Sequence, residues 1–220
     1  TPLTSIKGSL GLIKSGVVGE LPDQFKSMLD IAYKNSDRLV LLINDILDME
    51  KIEAGMMNFN MVPLDLSELV SQSLEANKGF ADEYNVTFAV TELSPATRVR
   101  GDGDRLMQVL SNLLSNAAKF SPIGAQVDIS VKSNDGNYRV SVSDYGPGIP
   151  DEFKDQIFNK FSQADASDTR QKNGTGLGLS ISKSFVEKHG GIIGFNTKAG
   201  EGTTFYFDLP KYEDSNLATM

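Results

Sequence analysis

Two asparagines, Asn112 and Asn116, stand four apart in "DRLMQVLSNLLSNAAKF", with Lys119 three residues further on. On a helix that spacing sends both amides to one side and sets the lysine one turn beyond. Amide oxygens are hard ligands suited to Mg2+, an ion that keeps several waters and shares phosphate oxygens. A neutral amide holds that ion without repelling a polyphosphate, as an aspartate would. The bland alternative is two ordinary solvent-facing amides. In "VSVSDYGPGIP" a strand ends at Asp144 and turns through Gly146 and Gly148. A carboxylate at that point accepts a hydrogen bond from an exocyclic amine. Adenine offers one, whereas guanine presents a carbonyl that an ionised carboxylate repels. The glycines let the backbone approach a flat ligand. Alone, this too is a simple turn with an exposed aspartate.

A third stretch, "FSQADASDTRQKNGTGLGLSIS", sets Gly174, Gly176 and Gly178 before a helix. Free N–H groups and the helix dipole at such a start favour phosphate. The spacing is not that of the dinucleotide fingerprint, and no GK[ST] follows, which excludes a P-loop. The polar run 162–173 reads as a lid. Arg170 and Lys172 are either its phosphate contacts or solvated charges. Thr203, after the glycines of "GEGTTFYF", is either part of a hairpin turn or one more wall of a pocket.

Composition narrows the classes. The 220 residues carry a net charge of -8 and no cysteine. The charge argues against a nucleic-acid binder. The missing thiols exclude disulfides, thiolate zinc sites and cysteine nucleophiles. No apolar run reaches the roughly 18 residues of a membrane span. The expectation is a soluble, cytoplasmic fragment with no membrane contact of its own, which leaves a membrane-anchored parent open.

The elements that position these groups follow from periodicity. Residues 1–57 read as a helical hairpin broken at "SGVVGELP". Its second helix carries Phe25, Met28, Ala32, Leu39, Leu42, Ile46 and Met49 at alternating three-and-four spacing, with Asn35 in the seam. Leu29, Ile43 and Leu47 add a flank. A long seam of this kind predicts a homodimer through residues 1–55, two hairpins making a four-helix bundle, in preference to a hairpin packed on its own downstream domain. Residues 58–211 read as an α+β domain: helices at 66–83 and 102–119, strands at 86–90 and 97–101, and a third helix in "ISKSFVEKHGG". Period-two strands "QVDISVK", "YRVSVSD", "IIGFNT" and "TTFYFDLP" complete it. Residues 212–220 are a polar tail.

Taken in order, "NLLSNAAKF", "DYGPGI", "IFNKF", "GTGLGL" and "GEGTTF" resemble the N, G1, F, G2 and G3 boxes of sensor histidine kinases. The hairpin resembles their dimerisation and phosphoacceptor domain, so the likeness covers residues 1–210. It implies a GHKL-type ATP-binding domain, an α/β sandwich with ATP and Mg2+ as ligands. It implies Asp144 on the adenine amine, and Asn112 and Asn116 on Mg2+ and phosphates with Lys119 nearby. Phe120 stacks at the base of the pocket, and Phe158 and Phe161 pack the lid root. Gly174, Thr175, Gly176, Leu177, Gly178 and Leu179 flank the triphosphate. It implies histidine autophosphorylation in the intact parent and transfer of the phosphoryl group to an aspartate of a response-regulator receiver domain.

The chain also departs from the pattern. Tyr145 stands where many relatives have Asn, and Gln163 where some have a lid Arg. "FSQADAS" resembles hybrid kinases, which implies a receiver domain downstream in the parent. The family's acceptor histidine lies four residues before the Thr of "TPL", and here that residue is Thr1. The one histidine, His189, ends a helix, where a partial positive charge suits the dipole. This chain is therefore expected to bind ATP without holding the acceptor. Thr1 matches a position implicated in dephosphorylating the regulator. An ATP-binding dimeric scaffold and another GHKL ATPase remain the alternatives.

Overall fold

The structure is a computed structural model and describes residues 2–17, 19, 21–162 and 175–213. It divides into two compact units, Thr1–Met57 and Asn58–Met220.

In the first unit, helix α1 (Pro2–Lys14) is followed by helix α2 (Asp23–Glu53). Between them the backbone takes positive φ at Gly16 and Gly19, a conformation that glycine adopts without strain. Ion pairs Lys7–Asp37 (2.7 Å) and Lys14–Asp30 (2.9 Å) descend one helix as they climb the other, so the two run antiparallel. The Tyr33 ring lies against Gly11, where a Cβ would meet its Cε2 at 3.4 Å. Leu29, Tyr33, Ser36 and Val40 form the shielded stripe of α2. The heptad residues Phe25, Met28, Leu39 and Ile46 are instead exposed in the single hairpin. Among the described residues no helix is long and apolar enough to cross a membrane.

The second unit is a sheet covered on one face by helices. Strands β2 (Thr87–Leu93), β4 (Gln126–Asn134), β5 (Asn137–Asp144), β6 (Ile192–Lys198) and β7 (Gly202–Pro210) lie in the order β2-β4-β5-β7-β6. Only β2 and β4 pair parallel, and α5 (Gly103–Phe120) lies in the crossover between them. Val127, Ile129, Val131, Val140, Val142, Phe205, Phe207 and Leu209 alternate onto the covered face. They meet Leu106, Leu110, Leu113 and Leu114 of α5 with Ile181 and Phe185 of α7 (Gly178–Lys188), all buried. The opposite face is polar. There Arg139 donates two 2.7 Å bonds to the Asp208 carboxylate and lies 3.9 Å from the Tyr206 ring centroid.

The sequence reading needs three corrections. The helix expected at 66–83 is two, α3 (Leu66–Ala76) and α4 (Lys78–Tyr84). Asn77 divides them, its buried amide turned inward to donate to Ser73 O (2.7 Å) and Ser111 Oγ (3.0 Å). Residues Val62–Asp65, left unassigned, form β1 and pair antiparallel with β3 (Arg98–Gly101) as a separate two-stranded ribbon. His189 is not a charged partner of its helix dipole. It is buried, its Nε2 accepts the Asp102 N–H at 2.9 Å, and its Nδ1 lies 2.7 Å from Phe185 O. Nε2 therefore carries no proton and Nδ1 donates, which is the neutral tautomer. Asp102 in turn caps α5, accepting from Arg105 N, and also accepts from Asn60 N at 2.8 Å.

Candidate functional site

Asp144, Gly146, Gly148 and Thr203 gather where β5 ends and β7 begins. The antiparallel register sets Asp144 directly opposite Thr203. Asp144 is buried, and its Oδ1 accepts from Gly146 N (2.9 Å) and Thr203 N (3.3 Å). Both bonds fall on one oxygen, so Oδ2 is left for a ligand. Burial pushes this carboxyl above its ordinary range, while the two N–H groups pull it back in part.

The glycines around it are required by contact. A Cβ on Gly146 would lie 2.5 Å from the Phe120 carbonyl, and one on Gly148 (φ +77°) 2.5 Å from that of Lys198. A Cβ on Gly202 (φ +111°) would fall on the Asp144 carbonyl. The turn after β5 is thereby pressed between the end of α5 and the β6–β7 hairpin.

Helix α5 brings its asparagines to the start of α7. Asn112 Nδ2 donates to Gly178 O and Ser182 Oγ, both at 3.2 Å. With its N–H groups committed there, the amide oxygen remains as an acceptor. The Asn116 side chain, one turn on, makes no hydrogen bond to the described residues. Two neutral oxygens on one helix face fit Mg2+ that arrives with a polyphosphate. Among the described residues no group of three or more acidic or histidine side chains offers a self-sufficient metal site. Lys119 Nζ lies 5.1 Å from the Phe120 ring centroid.

Other expected residues fall differently. Thr175 Oγ1 accepts from Leu177 N at 3.2 Å. Leu177 is a buried core side chain, while Gly178 and Leu179 are half-buried. Gly176 (φ +72°) packs against the backbone of Phe161. Phe158 packs on Phe195 (6.0 Å between centroids). Phe161, expected to pack beside it, is 64% exposed with φ +60°, so its backbone rather than its ring makes the contact. Tyr145 turns away from Asp144 and donates to Asp128 Oδ2 on β4 at 2.5 Å. Thr1, Gln163, Arg170, Lys172 and Gly174 lie outside the described residues. Ser182 and Thr197 were missed. Ser182 lies four residues after Gly178 on the same helix face, and Thr197 is a hydroxyl in the inward phase of β6.

Comparison with known proteins returns two family models. Residues 101–213 match the family model described as histidine kinase-, DNA gyrase B-, and HSP90-like ATPase. Residues 1–55 match the His Kinase A (phospho-acceptor) domain. The circadian input-output histidine kinase CikA of Synechococcus elongatus is 36% identical over 213 residues, 96% of this chain and 28% of that protein. The crystal structure of full-length ShkA in complex with AMPPNP superposes with a TM-score of 0.77 at 29% identity, covering 96% of this chain and 44% of that one. That of the histidine kinase ThkA in complex with the response regulator protein TrrA gives 0.67 at 26% identity, covering 96% and 58%. The chain spans 12% to 36% of the length of the curated relatives it matches.

Proposed function

This chain belongs to the sensor histidine kinases as a catalytic core, and from that premise we propose that it binds Mg-ATP and positions the γ-phosphoryl group for transfer to a histidine. The observation that carries the reading is the buried Asp144 carboxylate, held through Oδ1 with Oδ2 left to accept from the adenine amine. Gly146 and Gly148 let the turn beside Asp144 press against the Phe120 and Lys198 carbonyls. Asn112 and Asn116 hold Mg2+ and phosphate oxygens, and Lys119 adds positive charge. Bound Mg2+ neutralises charge on the transferring phosphoryl group, and the protein contributes mainly positioning.

His189 is the one histidine among the 220 residues, and both its ring nitrogens are committed to backbone groups. It is not the acceptor. In the intact parent the acceptor is a histidine outside this sequence, and its phosphoryl group passes to a response-regulator aspartate. The exposed Phe25, Met28, Leu39 and Ile46 are the surface on which a second hairpin completes a four-helix bundle. ATP labelled at the γ-phosphorus tests the reading. The 220-residue chain binds ATP and acquires no label, whereas a chain extended to place a histidine four residues before Thr1 does. Label retained by residues 1–220, or no ATP binding by either chain, overturns it.

A further inference from the structure

Thr197 occupies the last inward position of β6, two and four residues beyond Phe195 and Ile193. Its Oγ accepts from Ile149 N at 2.9 Å and donates to Gly202 O at 3.1 Å. It also lies 3.0 Å from Thr203 Oγ1. A hydroxyl has one proton, and that proton goes to Gly202 O, so Thr203 donates to Thr197. One side chain thus joins the turn after β5 to the first residues of β7. A backbone bond, Gly200 N to Pro147 O at 2.8 Å, also ties the turn to this hairpin.

These two segments are the ones that supply the N–H groups on Asp144 Oδ1, Gly146 from the turn and Thr203 from β7. We propose that Thr197 is a positioning residue for base recognition: its hydroxyl fixes the turn and the strand relative to each other, and so the direction in which Asp144 faces the base. The inference rests on the nucleotide reading above. Without the hydroxyl, the Ile149 N–H loses its acceptor and Thr203 its partner. The turn then shifts against β7, and the two N–H groups no longer hold one carboxylate oxygen together. Adenine loses its preference over guanine before the fold is lost.

The test uses the 220-residue chain and competition of ATP and GTP against a fluorescent ATP analogue. Thr197→Val keeps the branched shape and lowers the ATP-to-GTP affinity ratio about tenfold, the size of one lost net hydrogen bond. Thr197→Ser stays within about twofold of wild type, since the hydroxyl remains. The Val substitution has no effect on the ratio once Asp144 is Ala, because no side-chain oxygen then remains for the two N–H groups to hold. Should the Val variant fail to fold, Thr197→Cys, with its weak hydrogen-bonding thiol, takes its place. An unchanged ratio in the Val or Cys variant overturns the proposal. So does a Ser variant as impaired as Val, which would mean packing rather than hydrogen bonding. Failure of the wild type to bind either nucleotide is a separate result and overturns the nucleotide reading itself.

Discussion

Replacing Asp144 by Asn should reverse the base preference of the pocket rather than simply weaken it. Gly146 N and Thr203 N both point at Oδ1, so the Asn carbonyl oxygen must occupy that place. The NH2 group then takes the position of Oδ2 and faces the ligand as a donor. Against adenine it opposes another donor, and against guanine it meets the carbonyl oxygen. Loss of a hydrogen bond to a charged group costs about 1.5–3 kcal/mol, so ATP binding weakens by roughly 10- to 150-fold. GTP gains about tenfold, moving the ratio by two to three orders of magnitude. The stability effect has the opposite sign to that of an ordinary lost interaction. Burial raises the Asp144 carboxyl in the folded chain, so folding favours its protonated form. The ionised group costs stability once pH rises through the folded value. Asn carries no charge, and the ligand-free variant should unfold at or above the wild-type temperature at pH 7. Competition binding with ATP and GTP, together with thermal unfolding of the apo chain, reads both effects. An Asn variant that keeps the wild-type ATP-to-GTP ratio, or that loses binding along with several degrees of melting temperature, refutes the reasoning.

Asp65 provides a contrast. Its burial opposes ionisation, but the Thr97 hydroxyl and the N–H groups of Glu68 and Ser67 outweigh this and hold the carboxyl below its usual value. Its contribution is therefore complete above the unfolded value near pH 4 and is lost as pH falls through the folded value. Asp65→Ala should cost about 1–2 kcal/mol in urea unfolding at pH 7, with the difference shrinking in acid; a difference constant down to pH 2 would contradict this. Gly202→Ala would set a Cβ on the Asp144 carbonyl at φ +111°. ATP affinity should drop at least tenfold, with a stability cost of about 1–3 kcal/mol, and full binding by that variant would show that the β5–β7 junction is not part of the pocket. Removing the buried ring of His189 by substitution with Ala should cost about 2–4 kcal/mol in urea unfolding. Near-neutral stability there would mean that the Asp102 N–H bond contributes little.

Much of the candidate site was legible because it is locally encoded. Asn112 and Asn116 share a helix face through spacing alone, and Asp144 is marked by the strand that ends on it. What escaped depends on partners distant in sequence. Asn77 reads as a tolerable helix residue until Ser111 is known to lie within reach of its amide. His189 reads as a helix-end cation until the Asp102 N–H, 87 residues away in the chain, is found on its Nε2. The stripe of α2 was assigned by period, yet period does not say which part faces α1. Leu29, Tyr33 and Val40 take that role and leave Phe25, Met28, Leu39 and Ile46 of the heptad seam exposed. Phe161 was placed by its type, but a positive φ turns its ring outward.

The Asp144–Thr203 bond joins residues 59 apart, and Asn112–Ser182 joins residues 70 apart. Contacts of such long range close late in folding and all at once, since each must first overcome the entropy of a large loop. Partly folded chains, or a nascent chain with β7 still unmade, therefore have no base pocket, however much of α5 and β5 has formed. If the proposed function holds, nucleotide selects the finished domain alone and adds about 2.7 kcal/mol to its stability at a hundredfold excess over Kd. On the nucleotide reading proposed above, ATP stabilises this domain only once β7 is in place, so the ligand also acts as a check on completion of the sheet.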